Sequence, residues 1–149
     1  LGNLVKQFYE DVLWEELDYL LIDMPPGTGD VALTVFQLLP VDDLIIVTSP
    51  QDLVSLIVTK AIKMAEMMKI NVLGVVENMS YIACPDCGKK IPVFGESHLE
   101  EFAKKMNFNI LAKLPIVSEN AKMVDQGRIE EIVVPGIDSC ASAIMEKGE

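Results

Sequence analysis

The apolar positions along the chain fall into two patterns that together predict alternating helices and strands. Some stretches carry apolar residues on one face only, which is typical of amphipathic helices, and others are short continuous apolar runs, which are typical of buried parallel strands. The pattern predicts helices over 4–17, 31–39, 53–69, 98–106, 119–126 and 138–147. It predicts strands over 18–23, 44–48, 72–77 and 110–114, with a hairpin-like loop over 81–94.

This alternation predicts an α/β fold, in which a parallel sheet is covered by flanking helices. The 149 residues suffice for one domain with a buried core, and the apolar content of 50% agrees with a sheet enclosed by helices. The chain contains no internal repeat, low-complexity segment or linker, so we expect one domain.

Charge and cysteine content exclude several classes of partner. The net charge is −11, from 12 basic and 23 acidic residues, and such a surface repels nucleic acid. No apolar run reaches the roughly 18 residues that a membrane span needs, so we expect no membrane partner. Two of the three cysteines lie too close together for a typical structural disulfide, which favours the reducing cytoplasm.

The cysteine pair Cys84 and Cys87 is the most specific chemical signal in the chain. Two thiols at this spacing can bind one metal centre from one short loop, and Gly88 permits the turn that aims both sulfurs at one point. A closed zinc site or an iron–sulfur cluster usually needs four such ligands. The missing ligands must come from elsewhere in the chain or from a second copy of it.

Other interpretations of the cysteines stay open at this point. A redox pair usually lies at a helix N-terminus, but the residues after Cys87 are poor helix sequence, so we favour a metal. His98 could complete a zinc site, although we expect it at the surface near a helix start. We expect Cys140, which lies among small residues, to be a packed apolar side chain.

Two further segments end predicted strands with polar or flexible residues. Asp23 ends the run 18–23 and precedes a loop with Gly27 and Gly29, whose backbone could meet a terminal phosphate while Asp23 holds Mg²⁺ through water. The alternative is a plain turn, in which Asp30 caps the next helix. Asn78 could bind a purine ring through its amide, or it could simply form a turn.

Taken together, these motifs resemble those of one known family. The chain is similar to the Mrp/ApbC group of iron–sulfur carrier ATPases, within the MinD-like branch of P-loop proteins. The matching stretches follow the family's order and span nearly the whole chain: 11–19, 23–30, 77–81, 84–88, 94–95, 114–115 and 125–127.

The resemblance implies an ATP and Mg²⁺ site. Its residues would be Asp23, Gly27, Thr28, Gly29, Asn78 and Pro115. Asp23 would be the catalytic, Mg²⁺-side carboxylate of the Walker B strand, and the glycine loop would sense the γ-phosphate. Asn78 and the loop at Pro115 would contact the adenine.

The resemblance also implies where the missing metal ligands come from. Cys84 and Cys87 would pair with the same residues of a second subunit, so that a homodimer holds a bridging 4Fe-4S cluster. Recipient apoproteins that accept the cluster would be the further partners, and the location would be cytoplasmic.

The chain departs from the family in one respect. The family's Walker A loop, Lys-Gly-Gly-Val-Gly-Lys-Ser/Thr, is not among these residues. We therefore expect residues 1–149 to be the C-terminal portion of a single P-loop NTPase domain, with a gap in the sheet beside the strand that carries Asp23. We expect that this chain alone does not bind or hydrolyse ATP.

Three functions remain in competition at this stage. The first is a nucleotide-dependent carrier that delivers 4Fe-4S clusters to apoproteins. The second is a structural zinc module that mediates binding, and the third is a dithiol oxidoreductase that uses Cys84 and Cys87.

Overall fold

A small sheet with helices on both of its faces forms the fold, and the computed structural model describes residues 2–51 and 54–148. The helices are α1 (Gly2–Glu10), α2 (Asp30–Leu38), α3 (Val54–Met68), α4 (Leu99–Met106), α5 (Ser118–Asp125) and α6 (Asp138–Gly148). The strands are β1 (Asp43–Thr48), β2 (Asn71–Ala83), β3 (Lys90–Ile91) and β4 (Ile110–Pro115).

Strand β2 is the centre of the sheet. Its first part pairs in parallel with β1 on one edge and with β4 on the other. Beyond this parallel part, β2 continues to Ala83 and pairs antiparallel with β3. The expected parallel sheet with flanking helices is thus present, but the whole sheet is mixed, and β2 is longer than the predicted strand 72–77.

Two apolar clusters, one on each face of the sheet, form the core. Successive residues of a strand point to opposite faces, and Val75 and Val76 accordingly belong to different clusters. One cluster joins β1 and β2 to α3 and α4 through Ile46, Val58, Ile62, Val75 and Leu99. The other joins β2 and β4 to α6 through Val76, Ala112, Leu114 and Cys140. The sheet is therefore the middle layer of three.

The first predicted helix is shorter than expected. The pattern predicts a helix over 4–17, whereas α1 ends at Glu10 and packs on α2 with no buried residue of its own. The indole N–H of Trp14 donates to the carbonyl oxygen of Tyr9 at 3.1 Å, so a side chain satisfies this last-turn carbonyl. The apolar residues of 11–17 have helical spacing, but the segment does not form a helix.

The predicted strand over 18–23 was wrong as well. This segment has no strand conformation, and no strand in the described ranges pairs with it. Its apolar side chains are largely exposed, with Leu21 at 79%. A strand forms only where a neighbour satisfies its backbone N–H and C=O groups, and the sequence pattern cannot supply that neighbour. The outer edge of β1 also carries no strand among the described residues.

The remaining elements agree with the sequence pattern to within a few residues. Strands 44–48 and 110–114 and the later helices are confirmed, except that Leu53, the first predicted residue of α3, lies outside the described residues. Asp30 is not the cap of α2, because Gly29 holds that position and Asp30 lies in the first turn. A 3₁₀ turn over Ile129–Glu131 was not predicted. None of the helices within 2–51 and 54–148 is long and apolar enough to cross a membrane.

Gly74 provides a test of how closely β2 and β4 pack. A Cβ atom at this position would lie 2.7 Å from the carbonyl oxygen of Asn109 and 2.7 Å from Cγ of Leu111. The Asn109 carbonyl also accepts the N–H of Val75 at 2.8 Å, so it cannot move away freely. Gly74→Ala should lower the free energy of unfolding by about 1–3 kcal/mol, the usual range for overpacking.

Urea unfolding followed by circular dichroism measures this change. The matched control is Gly2→Ala, because Gly2 does not have a left-handed φ and a Cβ there would lie in ordinary contact with side chains, 3.5 Å from Leu38 and 3.7 Å from Thr34. Equal stability of the Gly74→Ala variant and the wild type would contradict the close approach of the two strands.

Candidate metal-binding hairpin

The two cysteines lie at the tip of the hairpin formed by β2 and β3. Ile82 pairs with Ile91 and Ala83 pairs with Lys90, so the turn begins directly after β2. The N–H of Cys84 donates to the carbonyl oxygen of Lys89, and the N–H of Gly88 donates to that of Cys84, both at 2.9 Å. The predicted hairpin-like loop is confirmed.

Gly88 makes this tight turn possible. Its φ of +71° lies in the left-handed region, which a glycine adopts without the steric cost that a Cβ atom brings. At the base of the hairpin, the ammonium of Lys90 lies 4.4 Å from the centre of the Tyr81 ring, a cation–π contact that joins β3 to β2. The backbone conformation of Gly88 and the contact between Lys90 and Tyr81 therefore both constrain the cysteine loop.

The two sulfurs converge and one of them is activated. The backbone N–H groups of Cys87 and Asp86, together with a hydrogen bond from the Cys87 side chain, lower the pKa of the Cys84 thiol. These donors stabilise the thiolate, which is the form that binds metals and attacks electrophiles. Cys84 is half-buried and Cys87 is exposed, so both can be reached from solvent.

The part of the chain that the structure describes brings no further ligand to this pair. It contains no group of three or more His, Cys, Asp or Glu side chains that could hold a metal ion. His98 is exposed at the start of α4, as expected. Cys140 is buried against Val76, Ala112 and Leu114, which confirms it as a packed side chain, and burial raises the pKa of its thiol.

Two of the residues assigned to adenine contact lie at one edge of the sheet. Asn78 is exposed directly after the last residue of β2 that pairs with β1, and Pro115 ends β4. Tyr81 is the register partner of Pro115, and its carbonyl oxygen accepts the N–H of Ile116 at 2.8 Å. The sheet thus brings these segments together, and their contact with a nucleotide stays a prediction.

The predicted phosphate loop is exposed. Asp23, Gly27 and Gly29 are exposed and Thr28 is half-buried. Gly27 has a φ of +91°, a conformation that favours glycine. Asp23 makes no side-chain hydrogen bond or ion pair with the other described residues. Its assignment to Mg²⁺ likewise stays a prediction.

The sequence interpretation missed Glu77, which is the largest of the fully buried side chains that the structure describes and is only 1% exposed. Its carboxylate accepts hydrogen bonds from the hydroxyl groups of Ser80 and Ser97. The available signal was an acidic residue that ends an apolar run, since a buried carboxylate needs donors nearby. The identity of Ser97 as a donor was not readable, because it lies 20 positions along the chain.

The depressed pKa of Cys84 gives a pH-dependent prediction. A lowered pKa keeps the thiolate populated to lower pH, so Cys84 should react with iodoacetamide with a midpoint below the roughly 8.5 of a free thiol. Cys140 should react only after unfolding, because it is buried. Peptide mass spectrometry over a pH series measures both sites in one sample, and a Cys84 midpoint at or above that of a free thiol would contradict the prediction.

Comparison with known proteins identifies the relatives of this chain. It is 48% identical over 131 residues to an iron–sulfur cluster carrier protein of Clostridium perfringens, which covers 88% of this chain and 46% of that protein. It is 43% identical over 145 residues to an iron–sulfur cluster carrier protein of Pyrococcus furiosus, which covers 97% of this chain and 48% of that protein. The chain thus spans about half the length of the curated relatives it matches.

A solved structure and a family profile agree with these relatives. The structure of a nucleotide-binding protein from Archaeoglobus fulgidus, which is in complex with ADP and contains cobalt, superposes on this chain with a TM-score of 0.80 at 47% identity. The match covers 87% of this chain and 54% of that one. The family resemblance inferred from the motifs is therefore confirmed. The profile described as NUBPL iron-transfer P-loop NTPase, of the ParA type, matches residues 1–147, and the chain belongs to that family.

Proposed function

We propose that this protein is a nucleotide-dependent iron–sulfur cluster carrier that holds a 4Fe-4S cluster as cargo between two copies of the chain. Recipient apoproteins accept the cluster. The hairpin with Cys84 and Cys87 is the holding site, and each copy contributes two thiolates. Membership of the iron-transfer family and relatives that are iron–sulfur cluster carriers support this proposal.

The observation that carries the proposal is an exposed, half-complete ligand set. Two sulfurs converge on a hairpin tip, one of them with a lowered pKa, and no third ligand accompanies them in the described ranges. A 4Fe-4S cluster is usually held by four thiolates. A two-fold axis beside the hairpin would double two thiolates to four.

The exposure of the hairpin suits transfer better than storage. Cys87 and the residues around it are exposed, so nothing in the described part of the chain covers the site. A cluster bound between two copies becomes accessible when the copies separate. A recipient with its own thiolates can then replace the carrier's thiolates one after another.

We extend the proposal to the nucleotide only in part. Asp23, the loop 27–29 and the segments at Asn78 and Pro115 are the residues that we assign to ATP and Mg²⁺. The sequence contains no lysine-bearing glycine loop that could cradle the phosphates. The ligand set for the phosphates is therefore incomplete, and we propose that these 149 residues do not hydrolyse ATP by themselves.

A dithiol oxidoreductase is the second candidate, and one observation favours it. The hydrogen bond from Cys87 to the Cys84 sulfur and the lowered pKa of Cys84 are features that such enzymes share. The position at the tip of a hairpin, and not at a helix N-terminus, argues against it. This function would require a metal-free protein whose thiols cycle reversibly.

Anaerobic reconstitution with iron and sulfide distinguishes these functions. A bridging 4Fe-4S cluster should give a brown protein with about two irons per chain. Cys84→Ser and Cys87→Ser should each abolish this iron binding, because the site loses two of its four ligands. The matched control Cys140→Ala should retain it, because Cys140 is buried in the core.

Other outcomes would replace the proposal. Colourless protein with about half a zinc per chain would indicate a shared zinc site. Metal-free protein with a reversible Cys84–Cys87 disulfide would indicate an oxidoreductase. Unchanged iron content in the Cys84→Ser variant would overturn the assignment of the hairpin.

A further inference from the structure

The buried carboxylate of Glu77 lies at the base of the segment that carries the cysteines. Ser80 donates its hydroxyl to Oε2 of Glu77, and Ser97 donates its hydroxyl to Oε1. From Ser80 the chain runs through the end of β2, the cysteine turn and β3 to Ser97. The side chain of Glu77 therefore binds both ends of the segment 80–97.

The return end is linked further, to the start of α4. The hydroxyl oxygen of Ser97 accepts the backbone N–H of Leu99 at 3.2 Å. Leu99 is 6% exposed and packs in the same core cluster as Val75, two residues before Glu77. The carboxylate, the hydroxyl and the first turn of α4 thus form a continuous connection between the core and the hairpin.

The outgoing end passes through an irregular part of β2. The register with β4 changes from Glu77 opposite Lys113 to Tyr81 opposite Pro115, so three residues on β2 face one residue on β4. Met79, in the middle of this bulge, has a φ of +56°, which is unusual for a residue other than glycine. The Ser80 to Glu77 hydrogen bond spans the bulge and fixes its shape.

Within the described residues, Glu77 forms no ion pair that would account for its burial. A buried carboxylate costs free energy unless hydrogen bonds satisfy it, and the side-chain donors that the described part of the chain supplies are Ser80 and Ser97. If position 77 served packing alone, an apolar side chain would fill it without the cost of burying a carboxylate. The arrangement therefore suits a role at the hairpin.

We infer that Glu77 is a positioning residue for the metal-binding hairpin, which it holds at a fixed angle to the sheet through Ser80 and Ser97. This inference rests on the proposed carrier function. Asn78, which directly follows Glu77, is the residue that we assign to adenine. The same bulge therefore adjoins both the proposed adenine site and the hairpin that carries the cysteines. We call the two hydrogen bonds from Ser80 and Ser97 to Glu77 the clasp. A change at the clasp should loosen the hairpin and make the cluster easier to lose.

The first test needs no metal. Hydrogen exchange with mass spectrometry should show the amides of residues 81–96 exchanging about tenfold faster in Ser97→Ala and in Ser80→Ala, since each variant removes one of the two hydrogen bonds that Glu77 accepts. Ser97→Thr, which keeps the hydroxyl, should restore exchange close to that of the wild type. Amides of β1 should not change in any of these variants.

The second test uses the reconstituted iron protein. Loss of iron to a chelator should be about tenfold faster in Ser97→Ala and in Glu77→Gln, in line with changes outside the ligand sphere. Gly74→Ala is the matched control, because it strains the sheet without touching the clasp, and its iron loss should equal that of the wild type. Ser97→Thr should again restore the wild-type rate.

The outcomes separate this inference from the carrier function. If the wild type takes up no iron, the carrier function fails and the exchange experiment alone decides the role of Glu77. Wild-type exchange in both serine variants would overturn the inference whatever the iron result. If Gly74→Ala and Ser97→Ala accelerate iron loss equally, the hydrogen bonds of the clasp contribute only to general stability. That result would also overturn the inference.

Discussion

The hydrogen bonding of β2 on both of its edges is the constraint on which the rest of the structure depends. Its parallel part joins β1 and β4 and lines both apolar clusters. Its last residues pair with β3 in the antiparallel hairpin whose turn begins at Cys84. Because one continuous strand carries both, the position of the cysteines is tied to the packing of the core. The bulge at Met79 lies between the part of β2 that pairs with β1 and the part that forms the hairpin.

Two polar side chains at the base and the tip of the hairpin are stabilised in different ways. At the base of the hairpin, the buried Glu77 side chain accepts hydrogen bonds from Ser80 on its own strand and from Ser97, which lies 20 positions along the chain. At the tip, the Cys84 sulfur is near solvent, and the backbone N–H groups of its own turn lower its pKa. The base thus depends on a tertiary contact as well as a local one, whereas local donors alone organise the tip. This difference explains why a short motif can bring two thiols together while its orientation depends on a distant residue.

Local patterns were enough to predict much of the fold and part of the site. The alternation of apolar runs gave β1, β4 and most of the helices, and the spacing of Cys84, Cys87 and Gly88 gave the hairpin. These features depend on interactions between residues close in sequence, so a pattern reveals them. The prediction failed for 11–17 and 18–23, where apolar residues have the right spacing but lack a surface or a strand to pack against.

The sequence by itself determined the α/β class, the family, the two converging thiols and the burial of Cys140 in a helix. Only the tertiary structure decided that residues 18–23 are unpaired, that β2 continues into the hairpin, and that Glu77 binds both Ser80 and Ser97. The physical reason is that strand pairing and the burial of a carboxylate require partners that are distant in the chain. Such partners are brought into contact only by folding, so no local pattern records them.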